Sequence, residues 1–154
     1  MEVRKASLRD EKELIALRIE YLEEEKQVED RICMHLKRML PLYFYEHLNR
    51  DLFIYLACEK EKIMGAVFLQ IGYRPNSDSF PNGKIGTVLN VYVRKEYRRK
   101  NIATKMMEFM IQDAKSRKLD CLELKATRMG EEMYRKIGFE EEAEPYLRMK
   151  YLLN

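Results

Sequence analysis

Only two histidines, His35 and His47, and three scattered cysteines, Cys33, Cys58 and Cys121, occur in 154 residues, with no C-x-x-C pair. That is too little for a zinc site, so no metal is expected, and the odd number of thiols reads as buried and reduced. No apolar stretch approaches the roughly 20 residues needed to span a bilayer. The opening Met1-Glu2-Val3-Arg4-Lys5 lacks the apolar core of a secretory signal, so the expectation is a cytoplasmic protein without a membrane partner. Repeats, low-complexity tracts and internal linkers are also missing, and one domain over residues 1–154 is expected. A strong excess of one charge is absent too. The 29 basic residues face 26 acidic ones, for a net charge of +3. A nucleic-acid-binding domain more often shows a wide basic face, so no nucleic-acid partner is expected.

What is present is concentrated in one stretch. Residues 87–93, Thr-Val-Leu-Asn-Val-Tyr-Val, are rich in β-branched and aromatic side chains that suit a buried strand. Residues 94–100 then carry five positive charges, a tight basic turn. After them Ile102, Met106, Met110 and Ala114 recur every four residues, flanked by Ala103, Met107 and Ile111, which predicts an amphipathic helix. Asn101 sits at the change of period as a favoured N-cap. A helix's first turn leaves backbone N–H groups unpaired and places about half a positive charge there. With Arg98, Arg99 and Lys100 aimed at the same spot, a pyrophosphate is a natural occupant. A solvated basic turn before an ordinary capped helix explains the same residues.

Arg98-Arg99-Lys100-Asn101-Ile102-Ala103 resembles the Gln/Arg-x-x-Gly-x-Gly/Ala motif of the GCN5-related N-acetyltransferase superfamily. Val93-Arg94-Lys95-Glu96-Tyr97-Arg98 is similar to that family's strand exit, usually Val-x-Pro-Glu-Tyr-Arg. Met133-Tyr134-Arg135-Lys136-Ile137-Gly138-Phe139 is similar to its Leu-Tyr-Glu-Lys-Leu-Gly-Phe helix end. The resemblance covers about the C-terminal half. Two positions depart from it: Asn101 replaces the first motif glycine and Lys95 the proline. Asn is the non-glycine residue best able to adopt positive φ.

The remaining elements are read from local patterns. Residues 3–6 suit a short strand. Ser7 with Asp10 forms an acidic capping box, and Leu14, Leu17, Tyr21 and Leu22 give the following helix an apolar face to about Glu24. A second helix is expected from about Glu29 through Ile32, Leu36 and Leu40, kinked or interrupted at Pro41. Tyr43 and Tyr45 on its aromatic continuation either pack on the sheet or line a substrate pocket. Residues 52–58 and 63–71 read as an antiparallel hairpin, and 73–83 as a long surface loop that, with the helices between Ser7 and Asn49, is expected to form the acceptor pocket. A strand over 119–126, parallel to 87–93, precedes a helix over 127–137 closed by Gly138. Residues 146–153 partly alternate and predict a final strand. The fold class is therefore α/β (α+β), a mixed and mostly antiparallel sheet flanked by helices, with one parallel pair at the cofactor cleft. That is also the layout of the family.

The resemblance implies acetyl-coenzyme A as co-substrate and an amine, on a small molecule or a protein, as acceptor. It places the pyrophosphate on Arg98, Arg99, Lys100, Asn101, Ile102, Ala103 and Thr104. The arm of the coenzyme would pair with the backbone edge of Val91, Tyr92 and Val93. Thr127 stands where relatives carry a coenzyme-touching Asn, and is equally an N-cap. Tyr134 stands where the family has a tyrosine that protonates the leaving thiolate, with core packing as the other reading. Two further functions remain open: a non-catalytic coenzyme A-binding sensor on the same fold, and a basic nucleic-acid-binding module using the turn at 94–100. A homodimer is also open.

Overall fold

The computed structural model describes residues 1–154. Five strands form one sheet in sequence order: β1 (Glu2–Lys5), β2 (Leu52–Glu59), β3 (Lys62–Tyr73), β4 (Lys84–Val93) and β5 (Cys121–Glu123). The first four pair antiparallel, and β4 pairs with β5 in parallel. Four helices complete the fold: α1 (Glu11–Glu25), α2 (Asp30–His47), α3 (Ile102–Ser116) and α4 (Arg128–Ile137).

Both faces of the sheet are covered, which explains why β2 is buried from Leu52 to Cys58 without a polar interruption. Phe53, Tyr55 and Ala57 face α3, whose Met106, Met107 and Met110 are fully buried against them. Ile54, Leu56 and Cys58 face Leu14 and Leu17 of α1 and Phe44 of α2. The alternation is the period of two expected of a strand. Gly65 lets the layers close, since a Cβ there would stand 2.5 Å from the Tyr92 carbonyl oxygen and 3.1 Å from Met106.

Several elements differ from the sequence expectation. β4 begins three residues earlier than residue 87, and β5 keeps only three of the eight residues 119–126. α2 runs through Pro41 without interruption. The proline leaves the Lys37 carbonyl without its helical donor, and Lys37 is exposed, where loss of that bond costs least. The loop after β3 is anchored: the Asp120 carboxylate accepts from the Asn82 and Lys84 N–H groups at 3.0–3.2 Å. Cys58 is buried, whereas Cys33 and Cys121 are only half-buried, and all three are free thiols. Residues 146–153 form no strand, and no backbone hydrogen bond joins them to another element.

Lys5, β2 and α3 meet at Asp113. Its carboxylate accepts from Tyr55 Oη at 2.6 Å, Lys5 Nζ at 2.7 Å and Arg117 Nε at 2.9 Å. Burial pushes the Asp113 carboxyl up, but these three donors outweigh it and hold it below the usual carboxylate range. A folded pKa below the unfolded one contributes stability above the unfolded value of about 3.9 and loses it as pH falls. Denaturation midpoints between pH 7 and pH 3 should therefore fall steeply below about pH 4. Asp113→Asn should lower the pH 7 midpoint and flatten that acid limb; an unchanged limb would remove Asp113 from the account.

Candidate functional site

β4 and β5 share only the pairs Ile85–Cys121, Gly86–Leu122 and Thr87–Glu123. Beyond Thr87, β4 continues for six residues while β5 ends, so the edge from Val88 to Val93 is not covered by β5. The pairing of β4 with β3 also shifts between Ala66 and Phe68. Asn90 lies within that irregularity at φ 38, an added residue that bends the strand. Asn90 is buried, and its Oδ1 accepts from Arg18 at 3.0 Å, while its Nδ2 has no partner.

The divergence opens a cleft of about 1640 Å³ between α1, β4, α3 and α4. The turn that enters it is built by two non-glycine residues in the left-handed region, Arg99 at φ 63 and Asn101 at φ 57. Asn101 fills the glycine role anticipated for it. Its side chain caps nothing, so the expectation of an Asn N-cap fails in that respect. An N-cap accepts through its side chain from extended backbone, and the left-handed backbone aims the side chain elsewhere. The first helical bond of α3 runs from Lys105 N–H to the Asn101 carbonyl, leaving the N–H groups of Ile102, Ala103 and Thr104 without helical acceptors.

The five cations of the turn do not act together. Arg94 reaches back to α1, donating to Glu13 at 3.0 Å and to Glu20 at 3.0 and 3.1 Å, and to the Ile63 carbonyl. Burial lowers its pKa, but the two glutamates outweigh this and raise it. Arg98, expected at the anion seat, lines the cleft but is likewise engaged within the protein. Its Nη2 lies 2.7 and 2.8 Å from the Glu24 carboxylate oxygens, and its Nε donates to the Val93 carbonyl at 2.7 Å. The guanidinium also lies over the Tyr92 ring. Arg99 and Lys100 are exposed and carry no ion pair, although Lys100 does not line the cleft itself.

Val91, Tyr92, Val93, Arg98, Arg99, Asn101, Ile102, Ala103, Thr104, Thr127 and Tyr134 all line the cleft. The Tyr92 side chain belongs to the opposite face of the sheet, packs in the α1 core and donates to Glu24 at 3.1 Å. Burial and that carboxylate push its phenol up to about 12. Thr127 caps α4, its Oγ1 accepting from the Gly130 N–H at 3.2 Å. Tyr134 stacks edge-on against Phe139 with centroids 6.0 Å apart. Burial alone raises its pKa, and no hydrogen bond holds its hydroxyl.

Tyr21, Glu24 and Glu25 complete the wall and were not anticipated as site residues. Tyr21 donates to Glu25 at 2.7 Å, and burial with that bond pushes its phenol up to about 12. The available signal was the acidic run 23–25, opposite in charge to the turn at 94–100. Tyr43 and Tyr45 do not reach the cleft: Tyr43 packs on Phe44 and His47, and Tyr45 is exposed. The loop after β3 does not reach it either.

A sequence model of the acetyltransferase (GNAT) family matches residues 13–139. A predicted acetyltransferase from Clostridium acetobutylicum, solved with acetyl-CoA, is 27% identical, with 97% of this chain and 95% of that chain covered at a TM-score of 0.83. A GCN5-related N-acetyltransferase from Ralstonia eutropha JMP134 shares the fold at 22% identity, 96% and 97% coverage and a TM-score of 0.75. The ribosomal-protein-alanine N-acetyltransferase of Brucella melitensis biovar Abortus 2308 does so at 21%, 97% and 100%, and 0.70. Comparison with the curated proteins gives no match.

The left-handed turn predicts a mutational asymmetry. Asn101→Val should cost about 1–2 kcal/mol, because a β-branched residue resists that region, whereas Asn101→Gly should stay close to the parent. Chemical denaturation checks both, and equal losses would mean that the Asn side chain matters rather than its backbone.

Proposed function

The chain belongs to the acetyltransferase (GNAT) family, and from that premise we propose that it transfers an acetyl group from acetyl-coenzyme A to a primary amine of a small molecule or a protein. The observation that carries this reading is the junction of three features: the β4 edge not covered by β5, the left-handed turn at Arg99 and Asn101, and the unbonded N–H groups opening α3. Such a place suits a ligand that is an anion at one end and an extended amide chain at the other.

Acetyl-coenzyme A supplies the acetyl group already activated as a thioester. Arg99 and Lys100, with the N–H groups of Ile102, Ala103 and Thr104, bind its pyrophosphate. Asn101 sets the turn that aims those groups, and Arg98 ties the turn to Glu24 and the Val93 carbonyl. The backbone of Val91, Tyr92 and Val93 orients the arm, and Thr127 fixes the start of α4 across the cleft. Tyr134 holds a proton on its Oη at neutral pH, because burial raises its pKa from an already high value. As the amine nitrogen bonds to the acetyl carbon and the C–S bond breaks, its free hydroxyl gives that proton to the departing sulfur, and the proton shed by the amine nitrogen restores the phenol. The acceptor enters between the end of α1 and α4, past Tyr21 and Glu25, rather than at Tyr43 or Tyr45.

Acetyl-coenzyme A should raise the melting temperature, since a ligand at 100 times its Kd stabilises by about 2.7 kcal/mol. The pair Arg99→Glu and Lys100→Glu should abolish that shift while the unliganded melt remains cooperative. Absence of a shift for the parent protein at millimolar coenzyme would sink the reading.

Thiol release with a panel of amines tests turnover. Tyr134→Phe keeps the packing on Phe139 and removes only the proton, so turnover should fall by at least about 100-fold with the thermal shift unchanged. A loss of only a few-fold would leave Tyr134 as a packing residue. Binding without thiol release on any amine would favour a non-catalytic coenzyme-binding role.

A further inference from the structure

Arg94 and Arg98 are each met by glutamates of α1, but a third arginine, Arg18 on that same helix, is not. It is half-buried, and its one hydrogen bond runs from Nη1 to the Asn90 Oδ1 at 3.0 Å. The guanidinium also lies 5.7 Å from the Tyr21 ring centroid. Its neighbours one turn away on α1 are Leu14, Ile15, Tyr21 and Leu22, none of them acidic. A cation drawn partly out of water without a counterion is costly, and a guanidinium has five N–H donors to satisfy.

Its partner is equally incomplete. Asn90 is only 3% exposed, and accepting from Arg18 fixes its amide with Oδ1 towards the guanidinium. Nδ2 is then left buried with no acceptor at all. Nδ2 and Oδ1 share one amide, so Nδ2 and the guanidinium lie within the span of a single carboxylate, which could accept from both. Both residues adjoin the cleft. Asn90 precedes Val91 and Arg18 stacks on Tyr21, and Val91 and Tyr21 line it.

Arg18, Tyr21 and Glu25 follow one another at spacings of three and four, which aligns them on one stripe of α1. Glu25 lines the same cleft as Tyr134. From Arg18 to Glu25 the helix rises about 10 Å. We propose that the acceptor is an ω-amino acid, held by its carboxylate on Arg18 and Asn90 Nδ2, with its carbon chain over Tyr21 and its amine at the Glu25 end of the stripe. An α-amino acid does not fit, since its amine and carboxylate share one carbon. The proposal rests on the acetyl-transfer reading and names the acceptor class within it.

Thiol release compares three acceptors of equal chain length: aminohexanoate with its amine at the far end, hexylamine without a carboxylate, and norleucine with both groups on one carbon. For the parent, kcat/KM on aminohexanoate should exceed the other two by at least about tenfold, the usual weight of a charge-assisted hydrogen bond. Arg18→Gln should raise the KM for aminohexanoate by about that factor, leaving hexylamine turnover and the coenzyme thermal shift unchanged. Arg18→Lys, which keeps the charge, should recover part of the loss. Equal kcat/KM on aminohexanoate and hexylamine overturns the proposal, and that comparison needs no variant to fold. A loss in Arg18→Gln shared by hexylamine and the coenzyme shift overturns it as well, since Arg18 would then only support the bend of β4. If no amine releases thiol, acetyl transfer fails and binding decides the anchor by itself. Hexanoate must then raise the melting temperature of the parent and not of Arg18→Gln, and no rise in the parent overturns the anchor too.

Discussion

The pairing between β4 and β5 is limited to three residues, and the rest of the fold is arranged around that limit. A longer ladder would close the sheet and leave no cleft. The register shift against β3 and the positive φ of Asn90 bend β4 where its neighbour ends. α3 and α4 flank the resulting gap. The parallel connection requires a crossover, and α3 supplies it, which also delivers a helix N-terminus to the open edge. A single topological fact thus creates both the groove and its positive end.

Charge in the turn is divided by burial rather than by sequence order. Arg94 and Arg98 are drawn to the acidic side of α1, where Glu13, Glu20 and Glu24 satisfy them in partly buried surroundings. Each of these pairs ties α1 to the end of β4. Arg99 and Lys100 remain in water, uncommitted. Only a pair left free in this way can exchange its hydration for a ligand's phosphate oxygens without first breaking an internal pair.

Much of this was legible in the sequence. The stripe of Ile102, Met106, Met110 and Ala114 is fully realised in α3, because a period near four has one solution beside a sheet. The β2–β3 hairpin was equally legible from the short charged connection over residues 59–62, which the structure tightens to two residues by pairing Glu59 with Lys62. The destination of Arg98 was not, since its partner Glu24 lies 74 positions away and no local rule links them. The continuity of α2 through Pro41 depended on the exposure of Lys37, a tertiary property. The strand expected at 146–153 has the correct pattern but no intrachain partner, and alternation specifies a face without specifying what will cover it.

The two left-handed residues of the turn separate a structural necessity from an accident. Each costs on the order of 1 kcal/mol in a non-glycine residue, and a surface loop under no constraint would relax. Arg98, itself extended, sits between a single 3-10 turn over Lys95–Tyr97 and this pair, its side chain fixed on Val93 and Glu24. The chain must therefore leave β4, be held at Arg98, and still start α3 with its first N–H groups facing the gap. Reversal within so few residues demands positive φ, and Asn at 101 bears it at lower cost than most residues. Arg99 bears it with less help from its chemistry, which keeps its cation beside the helix N-terminus rather than folded back to α1. The strain is thus located where a cation and unpaired amides are brought together, which is the arrangement an anionic ligand would use.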